Sequence, residues 1–202
     1  LQIIQIDIFS LFDAIFVICQ IQSMTDKTQI IVTAATNMFA HYGYAKTTMG
    51  DIASEAGVAR QTVYNAFTGK EEILRMVVHQ VGKDTYTAVM EAWSKTDSID
   101  EKLSIFQDFG PLKWFEAIRA TPDWAELIDG MQNAASEVMA TQDAQWRNAF
   151  ATVLRTRATE RPDVVDFFYS ASLNAKYGVE NVQHLRARLA TIKNATLALL
   201  KA

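Results

Sequence analysis

The sequence predicts an all-α protein, and three observations carry that expectation. Gly and Pro are scarce, at 8 and 3 in 202 residues. Long stretches repeat apolar residues at three- and four-residue spacing, the period of an amphipathic helix. No alternating strand pattern survives beyond the N-terminus. Hydrophobic residues make up 50% of the chain and charged residues 21%, which is material for a sizeable core and not the composition of a disordered segment. The expected architecture is an N-terminal three-helix head containing a helix-turn-helix, followed by a C-terminal helical bundle.

Composition also bounds the chemistry. A single Cys excludes an internal disulfide framework, and a chain with few Cys and His residues has little to build a zinc site from. No metal and no cofactor is expected, and the reducing cytoplasm is the expected compartment. A net charge of −4 argues against binding polyanions over the whole surface, but leaves room for a small local face.

Residues 1–23 form an apolar N-terminal extension without Lys or Arg, so the positive segment of a secretory or transit signal is missing. Asp7 and Asp13 interrupt it, and the longest uncharged stretch, Ala14 to Thr25, falls short of the roughly 18 residues a membrane span needs. No membrane association is expected. Because Met24 directly precedes a helix start, the extension is expected not to belong to the native product, and no function is placed on it.

Residues 24–72 form the expected head. Thr25 or Asp26 caps a first helix whose apolar face is Ile30, Ile31, Ala34, Ala35, Met38 and Phe39, ending at Gly43. Thr48 and Asp51 have capping-box spacing before a short second helix with Met49, Ile52, Ala53 and Ala56 on one side. Gly57 stops that helix in a left-handed turn. A third helix begins near Arg60 with Val63 and Phe67 inward, and Thr68, with Glu71 three residues on, starts a fourth whose apolar side is Ile73, Leu74, Val77 and Val78. Two short helices around a Gly turn make a helix-turn-helix.

The run Gly57-Val58-Ala59-Arg60-Gln61-Thr62-Val63-Tyr64-Asn65-Ala66-Phe67-Thr68-Gly69-Lys70-Glu71-Glu72-Ile73-Leu74 resembles the signature of the TetR/AcrR transcriptional regulators. Upstream, Phe39, Gly43, Tyr44, Thr47, Thr48 and Ile52-Ala53 extend the resemblance, which covers about residues 26 to 75. Two positions depart from the pattern. Ala59 stands where that family generally has Ser, removing a capping oxygen typically worth about 1 kcal/mol. Ala66 replaces a bulkier residue. The resemblance implies a DNA-binding head and a partner in double-stranded operator DNA.

The chemistry of the residues agrees with that implication. The N-terminal end of a recognition helix meets base edges, and Arg60, Gln61 and Thr62 suit guanine, adenine, and either base or phosphate respectively. Tyr64 and Asn65 extend along the same helix towards phosphate or base. Thr47, Thr48 and Lys70 are expected at the DNA backbone, Thr48 and Lys70 near helix N-termini that favour anions, and Lys27 and Lys46 add charge. Residues 24 to 80 carry five Lys plus Arg against five Asp plus Glu. Phosphate contacts are therefore expected to be few, with a modest salt dependence. His41 and His79 lack partners at ligand spacing and are expected at the surface.

Residues 73–202 are the expected bundle, punctuated by Thr96-Asp97-Ser98, Gly110-Pro111, Thr121-Pro122, Pro162 and Gly178. By resemblance, this part encloses a pocket for a small effector, here apolar or aromatic, with Phe106, Phe109, Trp114, Trp124, Met131, Trp146 and Phe150 as candidate contacts. The resemblance also assigns the last two helices to a homodimer interface, with Phe167, Phe168, Ala171, Leu185, Leu189 and Ile192 as candidates. The implied function is that of a ligand-responsive, homodimeric repressor released from a palindromic operator by its effector. A helical ligand-binding dimer that no longer binds DNA is the alternative. A bundle enzyme lacks support, since no nucleophile–base set, carboxylate pair or phosphate loop is present in the pattern.

Overall fold

The computed structural model describes residues 26–154 and 162–201, and these contain helices and turns but no strand. The expectations for residues 1–23 and for Thr25 as a cap lie outside the described residues. The chain runs as α1 (26–42), α2 (Met49–Glu55), α3 (Arg60–Ala66), α4 (Lys70–Trp93), α5 (Ile99–Gln107), a π-helical turn (Asp108–Leu112), α6 (Lys113–Ala120), α7 (Trp124–Val153), α8 (Pro162–Asn174) and α9 (Val182–Leu199).

The head forms as the apolar spacing predicts, with one shift. Ile31, Val32, Ala35 and Phe39 of α1 meet Met49, Ile52 and Ala53 of α2 and Val63 of α3 in a single core. Ile30, expected on that face, points outward at 48% exposure, and Val32 takes a buried place instead. Residues 30, 31 and 32 span 200° of a helical wheel, so the apolar triplet exceeds one face and packing selects among its members.

Thr48 caps α2 in a reciprocal box with Asp51. Gly57 stands at φ +64, as its place after the second helix demands, and the amide of Val58 returns to the Ala53 carbonyl at 3.0 Å. Ala59, the N-cap of α3, offers no side-chain bond. The fourth helix starts one residue later than the expected box: Gly69 is the N-cap. Thr68 pairs with Glu72 rather than Glu71, its amide and hydroxyl donating to Glu72 Oε2 at 2.7 and 2.8 Å.

Two long helices join head to bundle. α4, with 24 residues, runs about 36 Å. Its first half buries Ile73, Leu74, Val77 and Val78 in the head core, and its second half buries Val89 and Trp93 in the bundle core. α7 does the same in reverse: Ala135, with Leu127, Met131 and Val138 beside it, packs on the head, whereas Trp146, Ala149 and Phe150 enter the bundle. The boundary expected after residue 72 therefore falls inside α4, because the three short helices need the α4 and α7 faces to complete their core.

The bundle core stacks Phe106, Trp146, Phe150, Phe168 and Tyr169 with ring centroids 4.8 to 6.3 Å apart, several pairs edge-to-face. A smaller cluster holds the π turn and α6 to α9 and the α8–α9 connection through Leu112, Phe115, Ala175, Leu185 and Leu189. The break expected at Gly110-Pro111 is instead a π turn, with Pro111 buried inside it. Proline has no N–H to donate, and a wider turn accommodates its ring without ending the helical path.

Candidate nucleic-acid interface

The helix-turn-helix turns one face of α3 outward. Val63 is fully buried and Phe67 nearly so, which anchors the helix, while Arg60, Gln61, Tyr64 and Asn65 are exposed and Thr62 is half-buried. The four exposed side chains are ordered in i,i+4 pairs. The Arg60 guanidinium lies over the Tyr64 ring at 5.5 Å and donates to its hydroxyl at 3.3 Å. Gln61 Nε2 donates to Asn65 Oδ1 at 2.8 Å, which leaves a carboxamide oxygen on Gln61 beside an NH2 on Asn65. An acceptor next to a donor is the complement of the adenine edge in the major groove, and the Arg60 fork suits guanine.

Several expected phosphate contacts have other duties. Thr47 is 1% exposed and its hydroxyl donates to the Gly43 carbonyl at 2.8 Å, so its side chain is withdrawn from the surface and does not belong to a DNA face. Lys70 points inward: its ammonium donates to the carbonyls of Tyr44, Ala45 and Thr47 at 2.7, 3.2 and 3.0 Å and lies 4.4 Å from the Tyr44 ring centroid. All three N–H bonds are used within the head, and burial pushes the ammonium below the usual lysine range. Lys70 is thus a strut that fixes the α1–α2 turn.

Thr48 is exposed, but Asp51 already neutralises the α2 N-terminus: its carboxylate accepts from the Thr48 amide at 2.8 Å and hydroxyl at 2.7 Å. These bonds hold the Asp51 carboxyl below the usual carboxylate range. Lys46 is paired with Asp123 at 2.7 Å. Lys27 is exposed on the first turn of α1. A groove that the sequence reading missed lies where Tyr44, Gly69, Lys70, Glu72 and Arg75 meet. No side chain caps the α4 N-terminus there, which keeps backbone amides open to an anion. The absence of a capping Ser, Thr, Asp or Asn at Gly69 was the available sequence signal.

In the bundle, the structure does not bring the seven candidate effector residues together. Phe106, Trp146 and Phe150 share the aromatic core. Met131 packs against the head, and Trp124 is 51% exposed at the start of α7. Phe109 packs at the core edge with Lys113 over its ring. Trp114 instead meets Lys176, whose ammonium is 3.7 Å from its ring centroid. Of the dimer candidates, Phe168 and Leu185 are fully buried and Leu189 is nearly so, within this chain's own core. Ile192 is half-buried against both bundle clusters. Phe167 is exposed and Ala171 half-buried. The α9 stripe satisfied its own monomer first, because spacing alone does not say which chain supplies the facing groove. Among the described residues, no group of three His, Cys, Asp or Glu side chains is arranged to hold a metal, and no helix is long and apolar enough to cross a membrane.

A short helix-turn-helix mounted on a helical bundle through two long shared helices defines a class: helix-turn-helix proteins with an all-α second part. Residues 31–77 match the family model of bacterial regulatory proteins, tetR family, so this part of the chain is similar to the heads of that family. Curated relatives carry the same type of head. The uncharacterized HTH-type transcriptional regulator YezE of Bacillus subtilis (strain 168) is 30% identical over 82 residues, covering 40% of this chain and 42% of YezE. YhgD of the same organism, described in the same words, is 42% identical over 48 residues, 24% of this chain and 25% of its own length. The chain thus spans less than half the length of these two relatives. Solved structures share the fold over more of the chain. SmeT, the repressor of the Stenotrophomonas maltophilia multidrug efflux pump SmeDEF, superposes with a TM-score of 0.56 at 21% identity, over 85% of this chain and 89% of SmeT. A SmeT–triclosan complex matches with a TM-score of 0.57 at 20% identity, over 86% of this chain and 91% of that one.

Proposed function

We propose that this protein is a transcriptional regulator that binds operator DNA as a homodimer in the cytoplasm, and that it acts as a repressor released by a small effector. The observation that carries the DNA-binding reading is the outward row Arg60, Gln61, Tyr64 and Asn65 on a helix anchored by Val63 and Phe67. Two such helices about 34 to 36 Å apart would enter successive major grooves and favour a palindromic site. The open amides at the α4 N-terminus and Lys27 are the phosphate contacts this reading retains. With Phe168, Leu185 and Leu189 inside the monomer, the dimer face of this reading is what α8 and α9 leave outside: exposed Phe167, Ala187, Ala190 and Thr191, with half-buried Ala171 beside them. SmeT supports the effector reading by analogy, since a triclosan complex of it exists.

The effector would favour a spacing of the two heads that no longer fits DNA, which requires differential affinity for the two states. The test is binding of the purified chain, across a salt series, to a duplex from its own upstream intergenic region and to a scrambled duplex. Selective binding with two subunits per site is expected. Equal or absent binding to both would favour the ligand-binding dimer without DNA affinity, a reading that the zero net charge of residues 24 to 80 also favours.

A further inference from the structure

Between its two larger cores the molecule narrows to a neck. From His79 to Thr85 of α4 and from Met139 to Gln145 of α7, about two turns of each helix, no side chain belongs to any of the three hydrophobic clusters. The large apolar residues of these segments turn outward, Val81 at 45% and Met139 at 38% exposure. What crosses the neck is polar. Gln142 Nε2 donates to the Val78 carbonyl at 3.2 Å and, more weakly, to the His79 carbonyl at 3.4 Å. Among the described residues these are the hydrogen bonds that span it. Gly82, at the centre of the α4 segment, admits that side chain, because a Cβ there would fall inside the Gln142 carboxamide. Glycine in a helix interior is unfavourable relative to alanine, and here its bare backbone is the surface on which the carboxamide lies.

The two ends of this contact belong to different bodies. Val78 is buried in the head core, and on that side α4 and α7 are stitched together by Arg75 Nε, which donates to the Ala134 carbonyl at 2.8 Å. Gln142 instead adjoins Asp143, which accepts from the Tyr169 hydroxyl of α8 at 2.6 Å, and Tyr169 lies in the bundle core. A side chain held by the bundle therefore grips the backbone of a turn held by the head. Each helix carries a feature that eases bending at this level: Gly82 in α4, and in α7 Thr141, whose hydroxyl donates back to the Glu137 carbonyl at 2.9 Å. The approach of Gly43 to Pro122 in the α6–α7 turn lies about 30 Å along α7 from Gln142. One contact fixes a point, and the other fixes the angle about it.

We propose that Gln142, seated in the Gly82 notch, is a positioning residue that holds the head at a set angle to the bundle, and that the neck bends when the carboxamide leaves the notch. The bonds are few and lie at the edge of solvent, so water can replace them and the latch can open, which a packed apolar neck would not permit. That this angle governs operator binding rests on the regulator reading above; that Gln142 sets it does not.

The experiment uses the full chain carrying Cys19→Ser, which removes the single native Cys, with spin labels at Glu55→Cys in the head and Asp97→Cys beyond α4, both exposed positions. Labelled chain is diluted in unlabelled chain, so that distances within one chain are read. Two variants open the latch from opposite sides. Gln142→Met keeps the length of the side chain and removes the donor; Gly82→Ala fills the notch, favours the helix and displaces only the flexible end of Gln142. Neither removes a core side chain, so both should fold. Each should shift the distance by about 2 Å or add a second population, and should speed hydrogen exchange in residues 79–85 about tenfold. Gln145→Met, the same change three residues along at an exposed position, should do neither. An unchanged distance in either latch variant, or an equal change in Gln145→Met, overturns the proposal. On DNA, the latch variants should lose about tenfold in affinity with base preference intact. Unchanged affinity beside a shifted distance would refute the link from head angle to operator binding. A parent chain that binds no DNA would refute the regulator reading, and the distances would still decide the latch.

Discussion

At the level of single residues, the outward row of α3 and the side chains that anchor it separate cleanly. Replacing Arg60 or Gln61 by Ala should cost about 1 to 3 kcal/mol in DNA affinity and relax preference at one base pair, measured by titrating a family of single-base variants of the operator. An equal loss on every variant would show a contact to the backbone instead. Lys70 should behave differently. Lys70→Met removes three bonds to the carbonyls of residues 44, 45 and 47, so urea denaturation should show about 2 to 3 kcal/mol lost from the head, and DNA affinity should fall on all sequences alike. Full stability in that variant would make Lys70 a phosphate contact rather than a strut. Val63 and Phe67 were legible in the sequence because helix period places them on one face. The duties of Thr47 and Lys70 were not: the partners of Lys70 stand 23 to 26 residues away, and no local spacing encodes them.

At the level of elements, capping chemistry decides how firmly the short helices hold. The α3 N-cap lacks a side-chain acceptor, so Ala59→Ser should add about 1 kcal/mol of stability, seen as a raised denaturation midpoint. Gly57→Ala places a Cβ in open space but at φ +64, so its cost of about 1 to 2 kcal/mol should be backbone strain alone. The α2 box gives a pH dependence. Thr48 holds Asp51 below the usual carboxylate range, which means that the folded state favours the ionised form. Its stabilisation is therefore present above the ordinary aspartate range, near pH 4, and is lost as pH falls through the lowered value. The Tm difference between wild type and Asp51→Ala should be present at about pH 6 and shrink towards pH 3. The Thr48 box was legible from spacing alone. The Thr68–Glu72 pair was displaced by one residue because Gly69, not Thr68, stands at the N-cap.

At the scale of the whole molecule, the head is not a free module. Gly43, at φ +85, sits where a Cβ would come 2.9 Å from the Pro122 carbonyl oxygen, and Lys46 reaches Asp123 beside it. Gly43→Ala combines left-handed strain with a collision against backbone that has little room to move. Its cost should be about 2 to 4 kcal/mol, clearly more than Gly57→Ala in parallel melts. Equal costs would mean that the contact between the α1–α2 and α6–α7 turns yields freely. Since α4 and α7 each contribute to both cores, strain from this contact should also reach DNA affinity.

The all-α class, the three-helix head, its Gly57 turn and the outward row of α3 were determined by the sequence itself, because helix period, capping spacing and a left-handed glycine act within a few residues. Tertiary structure decided what depends on facing surfaces: that α4 and α7 bind head and bundle together, that the α9 stripe turns into its own core, and that Trp114 meets Lys176 rather than Trp124. An apolar stripe states that it will be buried but not against which neighbour, and a lysine states its charge but not which distant acceptors, if any, the fold will bring to it.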